Sequence, residues 1–527
     1  MEALALSFAG ENITAACSTA VDEQKIYPVS ELGELIRQAA DKRIVIFDYK
    51  KSLHLYPQLA QIDVAKIFDV KLACYISDPA CDCSTVAACA GKFLPEGAAS
   101  ANANECKLLL ALYGVLQEKM AENRVFNDIE MPLAPVLANM ETRGIMLDRQ
   151  ALEEFGKKLA QDIAAVEKKI YSAVGKKFNI NSTKQLSALL FDELKLTPAG
   201  KKTKSGYSTD AEALEKIIDQ HPVINDILCY RKLAKVNSTY VEGLLKFQQP
   251  DGRIHTSFNM TATATGRLSS TEPNLQNLPV AGDLGGEVRK FFSAGEGMVL
   301  IDADYSQIEL RILAHMANDP VMIAAFRSNE DIHTVTAAQI FNVNAAEVTP
   351  EMRRKAKAVN FGIVYGISAF TLANDLEISQ EEAKNYIGNY FKKYAAVKSY
   401  LDKTVKDARK NGWVETLFGR RRMLPELHSK IFAVRSFGER VALNMPIQGT
   451  AADLIKIAMI KVDQKLQEAF PRAGLLLQIH DELLLSAPAN EADEIAELLR
   501  RTMENAVELA VPLQVSLAVG KNYYEVK

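Results

Sequence analysis

The most constraining feature of the sequence is a pair of apolar segments that end in acidic side chains. Residues 297–304, GMVLIDAD, predict a buried strand whose Asp302 and Asp304 share one face, because successive strand side chains alternate. Residues 475–487, LLLQIHDELLLSA, predict a β-hairpin with Asp481 at its tip. Ionised carboxylates among Leu and Ile side chains are unfavourable unless a cation compensates them. The acids therefore either bind metal or serve only as a helix cap and as turn polarity.

A metal would suit both segments. Mg²⁺ prefers a few carboxylate oxygens together with water and substrate phosphates. Two such ions, roughly 3.5–4 Å apart, can activate an attacking hydroxyl and stabilise a leaving pyrophosphate. Asp304 and Asp481, which belong to two separated strands, are the predicted pair of shared ligands.

A basic helix follows the first acidic segment. Residues 349–351, TPE, have the N-cap, proline and acid of a helix start. At 100° per residue, each step of four residues turns a side chain by 40°, so four side chains spaced in this way lie within a face of about 120°. Such a face suits a triphosphate, which the cations would hold, and a base, which would stack on the aromatic rings. Taken alone, the pattern is better explained by an ordinary amphipathic helix with its aromatic end in the core. The residues on this face are Arg353, Lys357, Phe361 and Tyr365.

The length and charge of the chain limit the remaining possibilities. A chain of 527 residues exceeds the roughly 250–300 that one core supports, so we expect at least two domains. Residues 1–118 carry 10 Lys and Arg against 15 Asp and Glu, whereas the remaining residues have a net charge of +1 and clustered cations, as at 201–204 and 231–235. Clustered cations allow nucleic-acid binding despite the overall charge of −4. No apolar run approaches the roughly 20 residues of a membrane span, and no secretory signal is evident, so a cytoplasmic location is expected.

Six of the seven cysteines lie in the first 106 residues. The grouping of Cys81, Cys83 and Cys89 could indicate a metal site. No histidine lies nearby and the spacing matches no common zinc pattern, so burial as small apolar side chains is the favoured interpretation. The odd number of cysteines favours reduced thiols.

The coarse pattern divides the chain. Up to residue 118 it is mixed α/β, with a helix over 30–40 that Ser30 caps, a buried strand over 43–48 and a loop over 95–104. Helical patterns dominate 119–245, interrupted by a basic loop over 197–209. Strands and helices mix from residue 250 onward.

Three ordered segments resemble the polymerase motifs of the family A DNA polymerases, in particular those of bacteria. They are residues 304–311 (DYSQIELR), the helix over 353–366, and residues 478–482 (QIHDE). Residues 263–280, 331–335 and 444–454 are also similar, and the resemblance runs from about residue 119 to the C-terminus. It implies a mixed α/β right-hand polymerase with a thumb at about 143–250, a palm at about 251–311 and 431–527, and fingers at about 312–430.

The resemblance also implies roles for individual residues. Asp304 and Asp481 would bind two Mg²⁺ ions, for which Mn²⁺ can substitute, with the Tyr305 carbonyl assisting and Glu482 beside them as a catalytic residue. Glu309 would act as a steric gate against a 2′-hydroxyl. Phe, rather than Tyr, at Phe361 usually accompanies discrimination against dideoxynucleotides. The dNTP would be bound by Gln307, Glu309, His333, Arg353, Lys357, Phe361 and Tyr365. Primer–template DNA would contact Arg267, Arg440, Asn444, Gln448 and His480.

The implied activity is template-directed DNA synthesis in replication or repair, by a monomer that needs no membrane. An RNA-templated polymerase or a single-subunit RNA polymerase relative is one alternative. Glu309 argues against ribonucleotide substrates, whereas the choice of template stays open. A catalytically silent primer–template-binding protein is another, against which Asp304, Asp481, Arg353 and Lys357 argue.

Residues 1–118 resemble a degenerate 3′–5′ exonuclease domain. Residues 4–9 match the strand that follows the first nuclease motif of the family, so the acidic pair of that motif is absent from the sequence. Asp48 matches the second motif, and Glu105 lies in the third region without the expected aspartates. One or two carboxylates cannot build a two-metal site, so no proofreading is expected.

Overall fold

The chain forms two compact units in the computed structural model, which describes residues 2–96, 104–200, 206–279, 286–364 and 366–527. One unit comprises residues 1–143, 257–271 and 301–519, and the other comprises 144–256, 272–300 and 520–527. Tyr365 lies outside the described residues, as do parts of the two predicted loops over 95–104 and 197–209. None of the described helices is long and apolar enough to cross a membrane.

The N-terminal part of the first unit is a five-stranded sheet with helices. The strand order is β3-β2-β1-β4-β5, with β1 antiparallel to β2 and parallel to β4. The elements are β1 (Ala3–Ala9), β2 (Asn12–Cys17), β3 (Ala20–Pro28), α1 (Leu32–Gln38), β4 (Arg43–Ile46), α2 (Tyr49–Leu55), β5 (Ile67–Asp69), α3 (Val70–Ser77), α4 (Val86–Phe93), α5 (Glu105–Ala121) and α6 (Met131–Arg143).

The sheet confirms the strand predicted over 43–48, whereas the predicted cap of the preceding helix is wrong. Residues Val29–Glu31 form a 3₁₀ turn, and α1 begins only at Leu32. No side chain caps either segment, so Ser30 is not the N-cap. The 3₁₀ turn supplies the backbone hydrogen bonds that a cap would otherwise provide.

The middle of the chain is mainly helical, as its patterns predict. The core of the second unit is apolar and includes Ile170, Leu186, Leu190 and Ile227. The elements are β6 (Ile145–Leu147), α7 (Arg149–Val174), α8 (Thr183–Ser187), α9 (Ala211–Glu215), α10 (Val223–Val236), α11 (Gly243–Phe247), β7 (Arg253–Ile254), β8 (Ser257–Asn259), β9 (Ser269–Thr271) and β10 (Phe292–Ser293), of which β8 and β9 belong to the first unit.

The C-terminal part of the chain carries a four-stranded sheet with the order β14-β15-β11-β16. Every residue of β14 and β15 is buried, which explains their continuous apolar runs. The elements are β11 (Met298–Tyr305), α12 (Ile308–Ala317), α13 (Pro320–Arg327), α14 (Ile332–Phe341), α15 (Pro350–Val364), α16 (Ala369–Leu376), α17 (Gln380–Lys393), α18 (Ala395–Asn411), β12 (Trp413–Glu415), β13 (Arg421–Met423), α19 (Phe432–Ala469), β14 (Gly474–Ile479), β15 (Glu482–Pro488), α20 (Ala492–Glu504) and β16 (Val515–Gly520).

Four charged side chains are buried together behind this sheet. The Arg420 guanidinium binds the carboxylates of Glu130 and Asp453, and the Lys456 ammonium lies 2.6 Å from Glu130. All four are at most 2% exposed. Burial alone would raise the pKa of Glu130, but the two cations reverse the effect and hold it below its usual range. The charges balance, which makes their burial tolerable.

Removal of Arg420 should therefore be far more costly than removal of its neighbour. Arg420→Ala leaves two buried carboxylates facing one ammonium, and we expect a loss of about 3–5 kcal/mol in the free energy of unfolding. Arg421→Ala removes an exposed pair with Glu415 and a cation–π contact with Trp413, and should cost no more than about 1–2 kcal/mol. Urea unfolding of both variants measures the difference, and equal losses would contradict the role given to the buried network.

Candidate active site

The predicted junction between strand and helix is present at the end of β11. The strand ends at Tyr305, and α12 begins at Ile308 after Gln307 adopts a left-handed conformation with φ of 55°. Asp302 is buried, whereas Asp304 is partly exposed. The Tyr305 hydroxyl donates to the carbonyl of Met503 at 2.7 Å, which anchors the end of the strand. Asp304 is therefore held near the end of β11, which is an inner strand of the sheet.

The predicted acidic hairpin is also present. β14 and β15 pair with Ile479 opposite Glu482, so that His480 and Asp481 form the tip. His480 has a φ of 53° and is exposed, Asp481 is partly exposed, and Glu482 is buried. The backbone N–H of Tyr305 donates to the Asp481 carbonyl at 3.1 Å. This bond joins the strand of Asp304 to the tip of the hairpin.

Negative charge accumulates around Asp481. Burial, together with the nearby carboxylates of Glu309, Asp304 and Glu482, raises the pKa of Asp481 to about 6 against the opposing effect of Arg267. A divalent cation would relieve this excess charge, so the donors fit a hard, oxygen-binding metal ion. Among the described residues these carboxylates do not form a set of three ligand atoms within 4.8 Å, so water and substrate oxygens would have to complete the coordination.

Arg267 and Glu309 form an ion pair that their separation in sequence does not reveal. The guanidinium Nη2 lies 2.8 Å from Oε1 of Glu309, whose side chain is only 7% exposed. The Thr263 hydroxyl donates to the Arg267 carbonyl at 2.7 Å and holds the segment in place. The pair therefore fixes a predicted DNA-binding residue against a predicted dNTP-binding residue.

The predicted basic helix corresponds to α15. The rings of His333 and Phe361 have centroids 5.8 Å apart, and the Lys357 ammonium lies 6.0 Å from the Phe361 ring centroid. Arg353 and Lys357 are exposed, whereas Phe361 is partly buried. Among the described residues of this face, two cations are therefore followed by the aromatic Phe361, in the order that the spacing predicts.

Asp331 is a member of this group that the sequence interpretation missed. It caps α14, and its carboxylate accepts hydrogen bonds from Arg353 at 2.6 and 3.3 Å. Burial works against the charged form of Asp331, but the Arg353 hydrogen bonds outweigh it and lower the pKa to about 2. An aspartate before a helix is a sufficient signal for a cap, but not for a partner 22 residues away.

His333 is held as a neutral imidazole. It is 3% exposed, and burial lowers its pKa to about 4, with Arg353 and Lys357 acting in the same direction. Its Nδ1 lies 3.0 Å from Nδ2 of Asn360, so the ring nitrogen accepts this hydrogen bond. The other ring nitrogen then carries the proton and can donate to a ligand oxygen.

Three predicted DNA-binding residues lie four apart on α19. Arg440 is exposed, whereas Asn444 and Gln448 are partly buried. The Asn444 Nδ2 is buried and has no hydrogen-bond partner among the described residues. Gly449, which follows Gln448, allows α19 to approach the 257–271 segment, because an added Cβ would lie 3.1 Å from the Thr265 carbonyl oxygen. This face of the helix thus offers amide donors beside the segment of Arg267.

Comparison with known proteins identifies the family. The sequence profile of DNA polymerase family A matches residues 149–525, which is more than half of the chain, so the chain belongs to this family. DNA polymerase I of Caldicellulosiruptor bescii is 54% identical over 404 residues, covering 76% of this chain and 47% of that protein. DNA polymerase I of Geobacillus stearothermophilus is 46% identical over 487 residues, covering 88% of this chain and 56% of that protein. The chain thus spans about half the length of these relatives.

A solved structure is similar over the whole chain. It is described as the POL domain of Pol1 from M. smegmatis in complex with a DNA primer-template and dNTP. It is 38% identical in sequence, with a TM-score of 0.88, and the match covers 100% of this chain and 96% of that one. The mixed α/β fold is therefore that of a DNA polymerase I polymerase domain.

The charge at Asp481 should make the metal-free protein less stable as pH rises. The pKa of Asp481 is about 6 in the folded state and about 4 in the unfolded state, so the folded state binds the proton more tightly. The folded protein therefore loses stability as the pH rises from about 4 to about 6. In a chelator, Asp481→Asn should be more stable than the wild type by about 2–3 kcal/mol near pH 8 and indistinguishable near pH 4. Urea unfolding at both pH values tests this, with the exposed Asp375→Asn as control. A gain that is equal at both pH values would refute the assignment.

Proposed function

We propose that the chain catalyses template-directed DNA synthesis, adding dNTPs to a primer 3′-hydroxyl. The observation that carries the proposal is the pairing of two carboxylates, Asp304 and Asp481, across the Tyr305 backbone bond in a site with excess negative charge. Family membership and the resemblance to a polymerase domain that was solved with primer-template DNA and dNTP support it.

In the proposed reaction the primer 3′-hydroxyl gives up its proton to water and its oxygen attacks the α-phosphorus of the dNTP. A new P–O bond forms while the bond from that phosphorus to the bridging oxygen breaks, and pyrophosphate leaves with the electron pair. Asp304 and Asp481 would hold two Mg²⁺ ions, with the Tyr305 carbonyl assisting and Glu482 nearby. When bound, Mg²⁺ lowers the pKa of the attacking hydroxyl and neutralises charge on the leaving group.

We assign the incoming triphosphate to the cationic face of α15. Arg353 is held by Asp331 at 2.6 Å in an exposed position, so it can exchange this carboxylate for phosphate oxygens with little rearrangement. Lys357 would add a second positive charge, and neutral His333 a hydrogen-bond donor. Phe361 would contact the sugar and base, and Tyr365 and Gln307 keep their predicted roles in dNTP binding.

The Arg267–Glu309 pair would lie where the sugar and the primer terminus meet. With its carboxylate held by Arg267, Glu309 cannot move aside, which suits a gate that excludes a 2′-hydroxyl. Arg440, Asn444, Gln448 and His480 would line the primer–template. Amide and guanidinium donors suit minor-groove acceptors, which are nearly the same in every base pair, so binding would test pair geometry without reading sequence.

We further propose a palm, fingers and thumb at the predicted boundaries and a degenerate exonuclease-like domain at 1–118. The absence of proofreading is supported by the surroundings of its acids. Asp48 caps α2 and pairs with the Lys71 ammonium at 2.7 Å. Asp69 accepts backbone N–H groups from Tyr49 and Lys71 at 2.8 Å each. Asp48, the residue matched to the second nuclease motif, thus has structural partners where a nuclease would need a metal ligand, and the neighbouring Asp69 is also engaged by backbone groups. A monomeric state and a cytoplasmic location stay predictions.

Loss of either carboxylate should abolish extension without abolishing DNA binding. Asp304→Asn and Asp481→Asn should each lower the rate of primer extension by at least about a thousandfold, because several kcal/mol of charge stabilisation are lost. Extension of a primed DNA template with Mg²⁺ and four dNTPs measures this, with Asp375→Asn as an exposed control.

Further reactions analysed in the same primer-extension assay distinguish the alternative functions. Extension with ribonucleotides at a comparable rate would favour an RNA polymerase. Tight primer–template binding without extension by the wild type would favour the silent binding protein. Primer shortening without dNTPs, if it survives Asp481→Asn, would show that the N-terminal domain is a working nuclease.

The two adjacent arginines of α15 provide a matched test of dNTP binding. Arg353→Ala removes charge-assisted hydrogen bonds worth about 1.5–3 kcal/mol, so the dNTP KM or kcat/KM should worsen by about 10–150-fold. Arg354 is also exposed but points about 100° away on the helix, and Arg354→Ala should change neither parameter appreciably. Steady-state kinetics decide, and equal effects of the two substitutions would contradict the assignment.

A further inference from the structure

Four cysteines within residues 74–89 lie near one another in the N-terminal part of the first unit. Cys74 lies on α3, Cys81 and Cys83 lie in the turn that follows, and Cys89 lies in the first turns of α4. Cys74 and Cys89 are fully buried, Cys83 is 8% exposed, and Cys81 is partly exposed. Three separate pieces of backbone thus direct sulfur into one place.

The sulfur atoms face one another. The Sγ atoms of Cys81, Cys83 and Cys89 all lie within 4.8 Å of one another, and this is the one compact set of three candidate metal-ligand atoms among the described residues. Cys83 contacts the sulfurs of both Cys81 and Cys89, and the Cys89 sulfur also contacts that of Cys74. Cysteines that serve only as small apolar side chains have no reason to gather their sulfur atoms in this way.

The spacing of the sulfurs suits a single ion. Four sulfurs at about 2.3 Å from one tetrahedral zinc ion are about 3.8 Å apart. The sulfurs of Cys81, Cys83 and Cys89, all within 4.8 Å of one another, are close to this spacing, whereas Cys74 lies outside that set and would have to move towards it. In a cubane iron–sulfur cluster the cysteine sulfurs lie farther apart because the iron atoms separate them. A disulfide would require a sulfur–sulfur distance of about 2.05 Å, and all seven cysteines are free.

Burial and the contacts among the thiols raise the pKa values of Cys81, Cys83 and Cys89 in the absence of a metal ion, and the Lys71 ammonium opposes this rise at Cys83. Cys89 lies near the N-terminus of α4, where the helix dipole favours a thiolate. Thr85 caps that helix by accepting the N–H of Ala88 at 3.1 Å, which fixes the end of the turn.

We propose that Cys81, Cys83 and Cys89, with Cys74 as the fourth ligand, bind one Zn²⁺ ion in a closed structural site. The ion would link α3 to the turn at 78–85 and to the start of α4. With all four positions taken by protein, no coordination position remains for a substrate, so the site stabilises rather than catalyses. The proposal does not depend on the polymerase activity.

The metal content of the whole chain tests the proposal. After growth with zinc and removal of any histidine tag, the purified chain should contain about one equivalent of zinc by plasma mass spectrometry. The double variant Cys83→Ser with Cys89→Ser should fall to the background of the buffer. Cys229→Ser and Cys106→Ser, which alter an exposed and a buried cysteine outside the cluster, should retain the metal.

A second measurement does not depend on the folding of a variant. Co²⁺ added to the reduced, chelator-treated wild type should produce the strong visible bands of tetrahedral cobalt and the near-ultraviolet bands of cobalt bound to thiolates, and Zn²⁺ should bleach them. Absence of zinc together with absence of these bands would refute the site. Zinc that persists in the double variant, labile sulfide with iron, or a disulfide found by mass spectrometry would refute it equally.

Discussion

The buried charge network around Arg420 is the interaction on which the first unit depends. It joins Glu130, which immediately precedes α6, to Asp453 and Lys456 on α19. The network also helps to position Arg267, because the neighbouring Gly266 packs against Arg420. A Cβ added at Gly266 would lie 2.5 Å from Arg420 Nε. Four buried charges tolerate one another only as a complete set, so the position of each element constrains the others.

The candidate site differs from this network because its charges are not balanced within the protein. Around Asp481 the carboxylates outnumber the cations, and burial raises its pKa to about 6 instead of stabilising its charge. The network around Arg420 balances its charges within the protein, whereas the charge at Asp481 is left for a ligand to balance. Such an arrangement costs stability in the absence of a cation, and it concentrates binding energy where the charge of a reaction can develop.

Local patterns predicted the elements of the site well, because each depends on neighbours in sequence. The strand before Asp304, the hairpin around Asp481 and the helix of Arg353 are each set by apolar periodicity or by capping residues. Pairs between distant segments were not predictable in this way. The pair of Arg267 with Glu309 arises only when the fold brings distant backbone together, which spacing along the chain does not encode. The grouping of Cys81, Cys83 and Cys89 was visible in the sequence, but the approach of their sulfur atoms was not.

The segment of residues 2–143, which extends beyond the proposed nuclease-like domain at 1–118, has a structural role that is independent of any nuclease chemistry. Its Glu141 accepts the Phe258 backbone N–H at 2.6 Å, and the Tyr75 hydroxyl donates to the Thr263 carbonyl at 2.6 Å. With the Glu130 contact to Arg420, which lies against Gly266, these bonds hold the 258–266 part of the segment that carries Arg267. Loss of metal-binding acids from this segment would leave such contacts intact, whereas loss of the segment itself would release Arg267 from its place beside Glu309. The fold of residues 2–143 therefore supports the candidate site even where its own carboxylates, as at Asp48, serve as caps and ion pairs.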